Sequence, residues 1–188
     1  MDNLTALIEL LKERNALDEK IARLIGRPAT TGHIGEYIAA SIFGITLENS
    51  ASHRGYDGHF SDGPLAGRTV DIKYYTKQEG VLDLPKAADL TPAVLPDYYL
   101  VLTGAKPATT SSRGIHRPLV IEAIFLFDAI PLVRALLLRA SKLGRKVNIG
   151  VATSIPKQFW DEAELYPAQR NQAFVLTPEQ KSLLALFH

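Results

Sequence analysis

"GYDGHFSDGPLAGRTVDIKYY", residues 55 to 75, reads as a strand, a turn and a second strand, and the fold follows from how the two strands meet. Strands disfavour aspartate, yet Asp71 stands inside the β-favouring run from Thr69 to Tyr75. With the turn centred near Pro64, antiparallel pairing joins residues whose numbers total about 128, which sets Asp57 opposite Asp71. Cross-strand neighbours have Cβ atoms roughly 5 Å apart, so the two carboxylates face and repel one another. A divalent cation between them removes the repulsion, and oxygen ligands are what Mg²⁺ and Mn²⁺ prefer. Lys73 follows Asp71 by two residues, so strand periodicity places its ammonium on the same face. There it can polarise a water or neutralise charge on a phosphoryl group. Acids on an ordinary surface hairpin of a structural subunit are the competing reading.

Working outward, residues 3 to 25 read as one or two amphipathic helices, with Leu4, Leu7 and Leu11, then Leu17, Ile21 and Leu24, at helical spacing. Gly26 and Pro28 end them. A second helix is expected from Thr31, as cap, to Phe43, with Gly44 just past its end. "ITLEN" reads as a short strand, and "DYYLVLTG" (97–104) and "LVIEAIFLF" (119–127) as dense apolar strands. A helix over 128–143 and a strand at "VNIGVAT" follow. Near the end, Thr177, Pro178 and Gln180 spell a capping box. The order predicts a single α/β domain over 1–188, a central mixed β-sheet flanked by helices, with the helical segment 1–28 packed on it.

A chain of 188 residues with 46% apolar residues fits one globular domain with a sizeable core. The absence of cysteine excludes disulfides and thiolate zinc sites and suits a reducing cytosol, so a cytoplasmic location is expected. The first residues lack a basic region followed by an apolar core and a cleavage site, so they do not read as a signal peptide. The stretch from Leu119 carries Glu122, Asp128, Pro131 and Arg134, which argues against a membrane span. The net charge of +1 announces no polyanion by itself. Between 106 and 146, however, eight basic residues stand against Glu122 and Asp128 alone. That basic stretch reads either as a phosphate-binding patch or as a solvated helix and loop. His33, His53 and His59 lack zinc-site spacing. No G-x-S-x-G and no phosphate-cradling glycine loop occurs.

Glu36 lies on the helix "HIGEYIAASIF", opposite the stripe Ile34, Ile38 and Ile42 and in line with Ala40 and Phe43. A helix apolar on two faces is deeply placed, and a buried Glu there needs a partner. A glutamate favoured in the first turn by the helix dipole explains the same residue. Taken in order, Glu36, Asp57 in "GYDG" and Asp71-Ile72-Lys73 in "VDIK" resemble the active-site signature of the PD-(D/E)XK nuclease superfamily, the restriction-endonuclease-like fold. The resemblance covers residues 33 to 77, with Tyr56 where many members have proline. It implies that Asp57 and Asp71 are metal ligands together with the backbone carbonyl of Ile72. It further implies that Lys73 is the catalytic lysine and that Glu36 completes the site through metal or water.

The expected function is therefore Mg²⁺- or Mn²⁺-dependent hydrolysis of phosphodiesters by a DNA endonuclease of restriction or repair type. The resemblance also implies a homodimer. Arg54 at the mouth of the site, Lys77 after the strand, and Arg113 and Arg117 in the polar segment 105–118 are the candidate nucleic-acid contacts. The alternative is a catalytically silent module of the same fold that binds nucleic acid or a protein partner.

Overall fold

The computed structural model describes residues 3–49, 55–75, 80–82, 95–104, 120–121, 123–134, 153–155 and 176–187. Residues 3 to 25 form one helix, α1 (Asn3–Ile25), rather than two. The chain then turns through Gly26, at φ 69°, and enters α2 (Thr31–Phe43). The cap of α2 is Thr30, one residue earlier than its sequence suggests; the Thr30 side chain accepts from the His33 N–H. Gly44 closes α2 in the left-handed conformation, φ 63°, which glycine adopts without steric penalty.

Five strands form one mixed sheet in the order β1 (Ile45–Leu47), β2 (Gly58–Phe60), β3 (Thr69–Tyr75), β5 (Tyr98–Thr103) and β6 (Ala123–Asp128). Neighbours are antiparallel except β3 and β5, which run parallel. A second, two-stranded sheet pairs β4 (Gly80–Leu82) with β7 (Thr153–Ile155). β4 has no counterpart in the sequence reading, and of "VNIGVAT" only Thr153 lies among the described residues. The helix expected over 128–143 is described for 129–134, where it is helical. The last helix, α3 (Pro178–Leu184), begins on the expected capping box.

Between β2 and β3 the register is the one the turn at Pro64 predicts: Gly58 pairs with Val70 and His59 with Thr69. The turn itself contains a 3-10 segment, Gly63–Leu65. The parallel register of β3 on β5 is pinned at one end by Asp97. Its carboxylate accepts from the Thr69 N–H at 2.8 Å and the Thr69 hydroxyl at 3.1 Å, while its own N–H donates to Thr69 Oγ1 at 2.9 Å. β5 is buried on both faces, which is why "YYLVLT" reads as a continuous apolar run without alternation.

Alternation along β3 divides the site from the core. Val70 and Ile72 are buried with Leu100 and Leu102 in the cluster that α2 covers, and Tyr74 packs against that cluster. Asp71 and Lys73 therefore project from the opposite face, level with Tyr99 and Val101 of β5. The approach of α2 to β3 depends on Gly35: a Cβ there would fall 2.5 Å from Cβ of Tyr74. That close contact fixes the height of Glu36, the next residue, above the sheet.

Candidate functional site

Asp57 precedes β2 at the point where β2 and β3 part. Its N–H donates to the Val70 carbonyl at 2.9 Å, and its carbonyl accepts from the Glu48 N–H at 2.8 Å, so the backbone is held from both sides. Its carboxylate turns across to β3, where Oδ2 accepts from the Ile72 N–H at 2.7 Å. The side chain thus takes the place of a strand neighbour beyond the last β2–β3 pair. In an extended strand the N–H and C=O of one residue point to the same edge, so the Ile72 carbonyl lies along the edge that Asp57 caps.

Asp71 and Lys73 complete this corner. Lys73 Nζ lies 2.7 Å from Asp71 Oδ1, an ion-pair distance, with the side chains 26% and 15% exposed respectively. By hydrogen-bond geometry Asp71 Oδ1 has no partner among the described residues, so the approach of the Lys73 ammonium is an ion-pair contact that holds in full only while Asp71 is ionised. Burial drives the Asp71 carboxyl up to about 7 and the neighbouring Asp57 adds to this, with the Lys73 ammonium opposing them. One buried cation does not satisfy two adjoining carboxylates. The pair has the form of a site short of positive charge.

A pH dependence follows. Folded Asp71 keeps its proton to about pH 7, whereas an unfolded aspartate releases it near 3.8, so between these values the folded state binds more protons. Stability in metal-free buffer is expected to fall as pH rises from 4 to 7. Urea midpoints with excess EDTA should be lower at pH 7.5 than at pH 5, and Asp71→Asn should flatten that slope. A midpoint that climbs over this range equally in both proteins would contradict the assignment.

Glu36 is part of the neighbourhood but is turned to a different partner. Its Oε2 accepts from Arg27 Nη1 at 2.5 Å, and the two side chains are 15% and 11% exposed. Arg27 Nη2 donates to the Glu48 carbonyl. Burial raises the Glu36 carboxyl, Asp57 raises it further, and Arg27 and His33 oppose both. The sequence expectation of a deeply placed helix holds, since Ala39 and Phe43 as well as Ile38 and Ile42 are buried. Glu36 stands on the α2 side of the sheet, Asp71 and Lys73 on the other, with Asp57 at the edge between them. For that reason no three acidic or imidazole groups converge on one point among the described residues. Asp57, Asp71 and Lys73 are brought together; Glu36 adjoins them through Asp57.

The other candidates are distributed less tightly. His59 lies in β2 across from Thr69, and His33 Nδ1 is 3.0 Å from the Pro28 carbonyl oxygen. Arg54, Lys77, Arg113 and Arg117 lie outside the described residues, as does Glu122. Among the described residues no helix is long and apolar enough to cross a membrane. Arg27 was not singled out by the sequence. The one available signal was a basic residue set between a helix-ending glycine and Pro28. Protein-family models and curated proteins were compared with the chain, and none matches it.

Proposed function

We propose that the chain is a metal-dependent phosphodiesterase with a restriction-endonuclease-like core, acting on DNA as an endonuclease. The observation that carries this reading is the buried Asp71 Oδ1, without an aligned donor, beside a second carboxylate and one lysine. Two carboxylates and the Ile72 carbonyl are hard oxygen donors of the kind that Mg²⁺ or Mn²⁺ takes. Asp57, Asp71 and Ile72 would hold the ion, with Glu36 joining directly or through water. When bound, such an ion lowers the pKa of a water and offsets charge gathering on the phosphoryl oxygens.

The remaining roles belong to the chain itself. Lys73 Nζ, next to Asp71, is placed to hold a nucleophilic water by hydrogen bonding and to stabilise negative charge on the phosphate. Asp57 fixes the backbone of Ile72 through its hydrogen bond and thereby the strand on which Asp71 and Lys73 are set. Arg27 holds Glu36 at the margin of the site. Arg54, Lys77, Arg113 and Arg117 are the proposed phosphate contacts, which would make binding fall steeply with salt.

A nuclease-fold module without turnover is favoured by one observation, the commitment of Glu36 to Arg27 in place of the acidic pair. Conversion of supercoiled plasmid to open-circular or linear form separates the two. Cleavage with Mg²⁺ or Mn²⁺ that stops with EDTA is expected. Salt-sensitive DNA binding without cleavage under either ion would leave the silent module standing and remove the enzyme.

A further inference from the structure

Glu36 stands between two claims. Arg27 Nη1 donates to its Oε2 at 2.5 Å, with both side chains largely buried. Asp57 is also near enough for its charge to act on the Glu36 carboxyl. The backbone beneath Glu36 is fixed, because Gly35 packs so closely on Tyr74 that an added Cβ would fall 2.5 Å from the Tyr74 Cβ. The carboxylate therefore changes partner only by turning its side chain between rotamers on a stationary helix. Arg27 is set to hold it. The arginine follows Gly26, at φ 69°, and its Nη2 donates to the Glu48 carbonyl while Nη1 holds Glu36. A planar guanidinium that grips two acceptors in a fixed fork does this better than an ammonium. The Glu48 N–H in turn donates to the Asp57 carbonyl at 2.8 Å, which ties the arginine to the backbone that sets the acid corner. Arg27 also lines, with Ile25, Gly26 and Tyr37, a hollow of about 420 Å³ that opens to solvent. A guanidinium that loses Glu36 keeps the Glu48 carbonyl and meets water in this hollow, which offsets much of the penalty of an unpaired buried charge.

We propose that Arg27 is a positioning residue that withholds Glu36 from the corner formed by Asp57 and Asp71, and that their ion pair is a latch which opens as a divalent cation enters that corner. The Glu36 side chain is the two-position element, and the charge arriving between Asp57 and Asp71 biases it. With the latch closed the corner offers two carboxylates; with it open, it offers three. Parting a largely buried ion pair is thus set against ion binding, and the apparent affinity falls by the fraction of molecules whose latch is open. The latch presupposes the metal site proposed above and names the contact that regulates it.

Titration calorimetry with Mn²⁺ tests it without any turnover. Arg27→Gln should bind Mn²⁺ about 10-fold more tightly than the wild type, the factor expected where the open form is about one-tenth populated. Arg27→Lys keeps the charge and loses the fork, so its affinity should fall between the two. The gain must pass through Glu36: on a Glu36→Gln background, Arg27→Gln should change the affinity by less than about 2-fold. A gain that persists without Glu36 shows the arginine acting only as a nearby positive charge, and overturns the latch. Wild-type affinity in both Arg27 variants overturns it as well. The wild type supplies a second readout that does not depend on how well the variants fold. Saturating Mg²⁺ should shift the side-chain NMR signals of Arg27 and speed the exchange of its guanidinium protons with water. Arg27 signals that do not respond, in a wild type that binds Mn²⁺, remove the latch and leave the metal site. No uptake of Mn²⁺ by any of these proteins removes both.

Discussion

Lys73→Ala is expected to lower the rate of plasmid cleavage by about 10²- to 10⁴-fold, the range spanned by loss of a positioned proton-transfer group or charge-stabilising donor. Lys73 is the cation 2.7 Å from Asp71. The alternation of β3 gives both side chains the same face, so the ammonium is already where attack on a phosphate held at the acids would develop charge. The loss should appear in turnover rather than in DNA affinity, since one amine among many phosphate contacts contributes little to binding. Removing the ammonium also takes away the charge that restrains Asp71 from protonation. The alanine variant should therefore need a higher pH, or more metal, to reach even its residual rate. Lys73→Arg keeps the charge but not its compact geometry and should recover only part of the activity. Equal cleavage by wild type and Lys73→Ala would remove Lys73 from the chemistry.

Arg27→Ala is expected to destabilise the fold by about 3–5 kcal/mol, the usual consequence of leaving one partner of a buried ion pair uncompensated. Both charges of the Arg27–Glu36 pair are largely removed from water, and the arginine additionally satisfies the Glu48 carbonyl. Its loss leaves a carboxyl that burial and Asp57 already push toward protonation, together with an orphaned backbone acceptor. Glu36→Gln on the Arg27→Ala background should return a large share of the lost stability, because no buried charge then lacks a partner. Urea denaturation of the four proteins of this double-mutant cycle measures the coupling. A loss below about 1 kcal/mol for Arg27→Ala would mean that the pair behaves as an exposed one.

How much of this was legible in the sequence depended on range. The β2–β3 register came from turn chemistry, because a short hairpin fixes its own pairing: Pro64 and the flanking glycines determine which residues face each other, and Asp57 and Asp71 followed. The capping box at Thr177 and the left-handed Gly44 were legible for the same reason. Each is settled within a few residues. The cap at Thr30 was displaced by one position because two adjacent threonines carry the same signal, and only the backbone conformation separates them. Whether residues 3 to 25 made one helix or two stayed open in the sequence; they form one, and no proline or glycine interrupts it before Gly26.

Long-range features were not legible. The parallel neighbour of β3 is β5, whose register is set by Asp97 bonding Thr69 across 28 residues of chain. The close approach at Gly35 depends on Tyr74, a contact that neither residue announces. The spacing of Glu36 suggests a third acid directed at the pair; its side chain instead turns to Arg27, nine residues before it. Two carboxylates and a lysine were thus predictable from one hairpin, whereas the third carboxylate depended on how a helix sits over a sheet.

The most direct test is anomalous diffraction from crystals soaked in Mn²⁺ at pH 8, where Asp71 is ionised. A peak bounded by the Asp57 and Asp71 carboxylates and the Ile72 carbonyl, and missing from the Asp71→Asn protein under the same soak, is the predicted result. Wild-type crystals with Lys73 still closed on Asp71 and no manganese between the two acids would contradict it.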